Sequence, residues 1–193
     1  MLNLKLSTDP RWVNLAEKSL SEILTDHAYC EQKAATSCIS LIVVYPDLKP
    51  IVESLTPIVA EEWQHFSIVL KEIYKRKFTL GYPRKDDYVN MLLNFQNKNG
   101  NRNEVLVEKL LTNALIEARS CERFRLLSIG LQDDYFKKFY HNFMVSEAGH
   151  YRLFMDLAKL YQSNEYVEKR WHEYLNYEKD IFQKIKLRGD RMH

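Results

Sequence analysis

Residues 146–154 read SEAGHYRLF, and residues 60–68 read AEEWQHFSI. Each stretch sets a glutamate three positions before a histidine, Glu147 with His150 and Glu62 with His65. On a helix, positions i and i+3 share a face, so each pair offers a carboxylate oxygen and an imidazole nitrogen to one point. A lone Glu-x-x-His is a common accident of a charged helix. Two of them become informative when the preceding helix of each hairpin supplies a further carboxylate at the same height. Glu31 stands 31 residues before Glu62, with its midpoint between Pro46 and Asp47; Glu117 stands 30 before Glu147, with its midpoint at Gln132. Both midpoints fall on turns that the chain marks independently, "YPD" and "LQDD".

Helical periodicity supports the turns. Apolar residues recur at helical spacing from Pro10 to Tyr45, a run with a break expected near its start, and again from Lys49 to Lys77, where the "TLGYPR" stretch stops it. Residues 78–103 form a connection too long for a turn, and it is expected to hold one short helix over "DDYVNMLLNF". Further helices are expected over Glu104–Leu131, Tyr135–Gln162 and Glu165–Lys186. Two hairpins joined by one long crossover, followed by an additional helix, predict an all-α, ferritin-like antiparallel four-helix bundle with an extra C-terminal helix. The halves repeat faintly at an offset of about 86 residues, "YCEQKAATSC" aligning Glu31 with the Glu117 of "LIEARSCERF".

Composition agrees. Only 5 Gly and 5 Pro occur in 193 residues, few for a turn-rich sheet protein, and 46% hydrophobic residues suffice for one core. A single domain over residues 1–193 is therefore expected. The net charge of +2 announces no polyanion partner, and three cysteines without Cys-x-x-Cys spacing exclude a disulfide framework or zinc ribbon. The longest apolar run, "CISLIVVY", is too short to span a bilayer, so no membrane association and a cytoplasmic location are expected. The oligomeric state is left open, a monomer included.

Two Glu plus two Glu-x-x-His is the donor pattern of di-iron and di-manganese carboxylate bundles. The metal ligands expected are Glu31, Glu62, His65, Glu117, Glu147 and His150, with Glu62 and Glu147 bridging. Oxygen and imidazole donors suit iron or manganese. Glu122 is the rival of Glu117 but lies more than a helical turn off in height. Glu61 and Ser146 are weighed as supports of the ligands, His27 as a satisfied core histidine, and Gly149 as room above His150 or a close helix contact. Trp63, Phe66, Phe124, Tyr151 and Phe154 read mostly as core. Basic clusters in "YKRKF", "YPRK", at Arg119, Arg123 and Arg125, and in "KIKLRGDRMH" read as solvated faces unless they converge on phosphates.

The segments "EQKAA", "EEWQHF", "EARSCERF" and "SEAGHYRLF" together resemble the MiaE family of tRNA hydroxylases, over about Trp12 to Lys179. That resemblance implies a ferritin-like di-iron monooxygenase with the same six ligands and two iron ions. It also implies hydroxylation of the isopentenyl group of a 2-methylthio-N6-isopentenyl adenosine next to the anticodon. O2 would be the co-substrate, with reducing equivalents from an electron-donor protein and tRNA as partner. The alternative expectation is a ferritin-like ferroxidase or peroxide scavenger.

Overall fold

The computed structural model describes residues 2–193, and among them the chain forms seven helices and no strand. In order these are α1 (Arg11–Lys18), α2 (Leu20–Val44), α3 (Lys49–Lys75), α4 (Asp87–Phe95), α5 (Arg102–Gly130), α6 (Asp134–Tyr161) and α7 (Asn164–Phe182). The expected break in the first run falls at Ser19, whose N–H reaches back only to the Ala16 carbonyl, at 3.0 Å. Among the described residues, no helix is long and apolar enough to cross a membrane.

The helices fall into two compact units. The first holds residues 14–85 and 188–192, with α2 and α3 as an antiparallel hairpin turned at residues 45–48. Ile23, Leu24, Ala28, Leu41, Leu55 and Val69 are buried in it, as apolar stripes at helical spacing require. The second holds residues 2–13, 86–187 and 193, with the α5–α6 hairpin flanked by α4 and α7. Its core is aromatic: Phe124 lies 5.7 Å from Tyr140 and 5.5 Å from Phe143 by ring centroid.

Local chemistry sets the helix ends. Asn101 and Glu104 form a reciprocal capping box that starts α5; Asp86, Asp133 and Ser163 cap α4, α6 and α7 through their side chains. The end of α3 is a Schellman motif, with Phe78 N–H donating to the Ile73 carbonyl at 3.0 Å and Lys77 N–H to Tyr74 at 2.9 Å. Its left-handed position is held by exposed Lys77, at φ 62°, where glycine is the usual occupant. A side chain there costs about 1–2 kcal/mol, partly offset by the lower unfolded entropy of a non-glycine residue. Lys77→Gly should therefore stabilise the protein by about 0.5–1 kcal/mol in a urea melt; an unchanged midpoint would contradict this account of the turn.

Several charged residues expected on solvated faces are buried. Arg119 is completely inside, its guanidinium donating to Glu178, to Glu122 Oε2 at 2.7 Å and to the Leu6 carbonyl at 2.9 Å. Arg123 lies 4.1 Å above the Trp12 ring. Glu122 is likewise buried, accepting from Thr8 N–H at 2.7 Å and its hydroxyl at 2.6 Å. In the other unit, Arg76 is tied to buried Glu72 at 2.7 Å, and Arg84 to Asp190 at 2.8 Å. The segment 188–192 is packed as well: Asp26 accepts from Arg191 and from Met192 N–H, both at 2.8 Å. Net charge near zero allowed these cations internal carboxylate partners, and composition does not say which cations find them.

Candidate metal centre

The first unit carries one carboxylate–imidazole group. Glu31 comes from the middle of α2, and Glu62 and His65 from α3. Pro57, inside α3, cannot bond to the Glu53 carbonyl and so loosens the helix ladder one turn ahead of this group. All three side chains are nearly inaccessible to water. His65 Nδ1 stands 3.4 Å from Glu31 Oε2 and 3.5 Å from Glu62 Oε2. Burial by itself pushes the imidazole down, but the two carboxylates more than reverse it, so His65 keeps a proton up to about 10. A proton thus sits where two carboxylates and a nitrogen converge, the situation a divalent cation relieves by displacing it.

His27, one turn before Glu31, is fully buried, with Nε2 2.7 Å from Glu31 Oε1. Burial, reinforced by the nearby His65 cation, pushes it well below the ordinary imidazole range, so it faces Glu31 as a neutral ring. It therefore orients the Glu31 carboxylate, a role beyond the core packing expected of it. The signal was present as the i, i+4 spacing of His27 and Glu31. Glu61 does face solvent, yet Oε1 also lies 3.8 Å from His65 Nε2.

The second unit repeats the arrangement. Glu117 comes from α5, and Glu147 and His150 from α6, all buried. His150 Nδ1 is 3.8 Å from Glu147 Oε2, while Glu147 Oε1 is buried without a hydrogen-bond partner. A carboxylate oxygen withdrawn from water and left without a donor is costly unless a cation binds it. Each group is accompanied by a buried thiol. Burial and Glu62 push Cys38 up to about 12, and burial, Glu147 and Glu122 do the same to Cys121. Both thiols stay protonated at neutral pH, so neither competes as a soft ligand. Glu122, engaged by Thr8 and Arg119, is not available to replace Glu117. Gly149 is exposed, and a Cβ there would meet nothing within 4 Å, which excludes the close helix contact. Trp63 is 52% exposed and stacks on Phe66 at 4.9 Å, so it is not core.

The donor set therefore suits two hard or borderline metal ions: four glutamates, two imidazoles, no thiolate, and a buried oxygen lacking a partner. The chain superposes on a protein with aldehyde deformylating oxygenase activity from Synechococcus, with a TM-score of 0.92, 30% identity, and coverage of 98% of this chain and 94% of that one. Fold and donor groups together define a ferritin-like protein of the carboxylate–histidine class. Within that class, the sequence profile of the tRNA-(MS2IO6A)-hydroxylase (MiaE) family matches residues 2–193, and the chain belongs to this family. Two relatives bear the name tRNA 2-(methylsulfanyl)-N(6)-isopentenyladenosine(37) hydroxylase. The one from Pseudomonas putida is 33% identical over 154 residues, covering 80% of this chain and 74% of its own. The one from Salmonella typhimurium is 26% identical over 203 residues, covering 79% and 73%.

Proposed function

We propose that this protein is a di-iron, O2-dependent hydroxylase of the isopentenyl group of a 2-methylthio-N6-isopentenyl adenosine in tRNA. The observation that carries the reading is the paired set of buried Glu and Glu-x-x-His side chains, on a chain that belongs to a tRNA hydroxylase family. Glu31, Glu62, His65, Glu117, Glu147 and His150 would hold two iron ions. We read residues 1–193 as one working domain, since the family match runs through both units without interruption.

Two bound irons would supply the activation of O2 that no side chain can perform. The overall change inserts one oxygen atom into a C–H bond and reduces the other to water, consuming two electrons and two protons. An electron-donor protein must provide the electrons. The chain's own part is to hold the metals in a dry site and to keep their ligands in place. Burial of all six donors excludes water from the neighbourhood of a reactive oxidant. The neutral His27 ring holds Glu31 in one orientation. The high values of Cys38 and Cys121 leave both thiols protonated and poorly oxidisable beside the oxidising site.

Mass spectrometry of tRNA nucleosides tests the proposal in a strain that makes the methylthio-isopentenyl nucleoside and lacks this gene. Restoring the wild-type gene should return the hydroxylated nucleoside, and a Glu147→Ala gene should not. Absence of that nucleoside on complementation with the wild type would refute it.

A further inference from the structure

The basic residues first considered for contact with tRNA are largely committed to internal partners, as described for Arg76, Arg84, Arg119 and Arg191. A different surface carries free charge. In the second unit, α6 and α7 border an open cleft of about 480 Å³. Met155, Leu175 and Trp171 are its buried apolar lining, and its exposed polar rim carries Arg152, Lys159 and His172 alongside the carboxylates of Asp156 and Glu168. Among the described residues, Arg152 and Lys159 make no ion pair or hydrogen bond, although Asp156 lies one helical turn from Arg152. Trp171 is 5% exposed, and its Nε1–H has no acceptor among the described residues. An indole donor buried without a partner is the kind of group that a ligand oxygen or ring nitrogen satisfies.

Beyond the cleft, the exposed face of α6 runs on toward the start of the helix. Val145, Gly149, Arg152, Asp156 and Lys159 follow one another at spacings of four and three, and all five are exposed. The open space over Gly149 thus lies one turn before Arg152, giving a bare stretch of helix that leads to the edge of the cleft. An apolar floor, an unpaired N–H donor and two free cations match the parts of a nucleotide: an apolar ring face, ring acceptors and a phosphate.

We propose that this cleft holds a nucleotide of the tRNA other than the one modified, with its base over Met155 and Leu175 and its phosphate toward Arg152 and Lys159. The inference rests on the tRNA reading above. Full-length wild-type and variant proteins would be titrated into a fluorescein-labelled tRNA anticodon stem–loop at several salt concentrations, with anisotropy as the readout. Arg152→Ala/Lys159→Ala should weaken binding by about tenfold or more and make the salt dependence shallower by about one to two units of log–log slope. Gly149→Leu should weaken it too, while leaving the thermal midpoint equal or higher, because leucine is the better helix former. Equal affinity and slope in the variants, alongside a wild type that binds, would overturn the cleft and leave the hydroxylase standing. A wild type that binds no stem–loop would overturn both. Variants that bind the stem–loop normally but accept electrons slowly would reassign the cleft to the donor protein and overturn the proposal.

Discussion

Glu147→Ala and His65→Ala proteins should each retain well under the wild-type content of about two irons per chain after anaerobic loading and desalting. Each substitution would remove one of the six proposed donors, whose carboxylates would carry the neutralising charge. The loss should exceed that from His27→Phe, which keeps all six donors but removes the ring facing Glu31 at 2.7 Å. A partner of that kind is worth about 10–100-fold in metal affinity, so His27→Phe should show weaker iron retention under chelator competition, with the spectrum of an intact centre. The measurement is iron by elemental analysis together with the optical spectrum of the oxidised protein. Full iron content in Glu147→Ala or His65→Ala would show that the six residues are not the ligands. Stability should move the other way, since deleting Glu147 relieves a buried oxygen without a hydrogen-bond partner. Metal-free Glu147→Ala should accordingly melt no lower than the metal-free wild type, which separates loss of metal from loss of fold.

The second large effect concerns stability alone. Arg119→Met should lower the stability of the metal-free protein by about 3–5 kcal/mol, because it strands the Glu178 carboxylate inside the protein. Glu178 is completely buried, burial pushing its carboxyl up against the pull of Arg119, and Oε1 also accepts from Tyr88 at 3.3 Å. At this chain length such a loss corresponds to a fall of roughly 10 °C in melting temperature. Replacing the pair together, Arg119→Met with Glu178→Leu, should recover most of it, since apolar side chains of similar volume tolerate the site that one lone charge does not. If the single variant melts within a degree of the wild type, the pair is solvated and its burial has no energetic weight.

The comparison of sequence with structure divides along a physical line. The helices and the grouping of the candidate donors were legible because both depend on spacing within one or two helical turns. Glu62 with His65, Glu147 with His150, and the midpoint rule that placed Glu31 and Glu117 need only a rise per residue and a turn position. The helix limits agree with expectation within a few residues, and the crossover holds its short helix at Asp87–Phe95. His27 was in reach of the same reasoning through its i, i+4 relation to Glu31, but a histidine on an apolar face has a more ordinary explanation.

Partner choice was decided by the tertiary structure. Nothing local distinguishes Arg119, wholly buried on Glu178 59 residues away, from Arg152, exposed and free on α6. Asp26 meets Arg191 across 165 positions, and Glu122 meets Thr8 across 114. The sequence alone therefore determined the all-helical hairpins and which glutamates and histidines each hairpin buries together, since helical periodicity is a property of neighbouring residues. Which charges are structural and which remain open to a ligand was decided only by folding, because an ion pair between distant positions depends on which helices come to lie side by side.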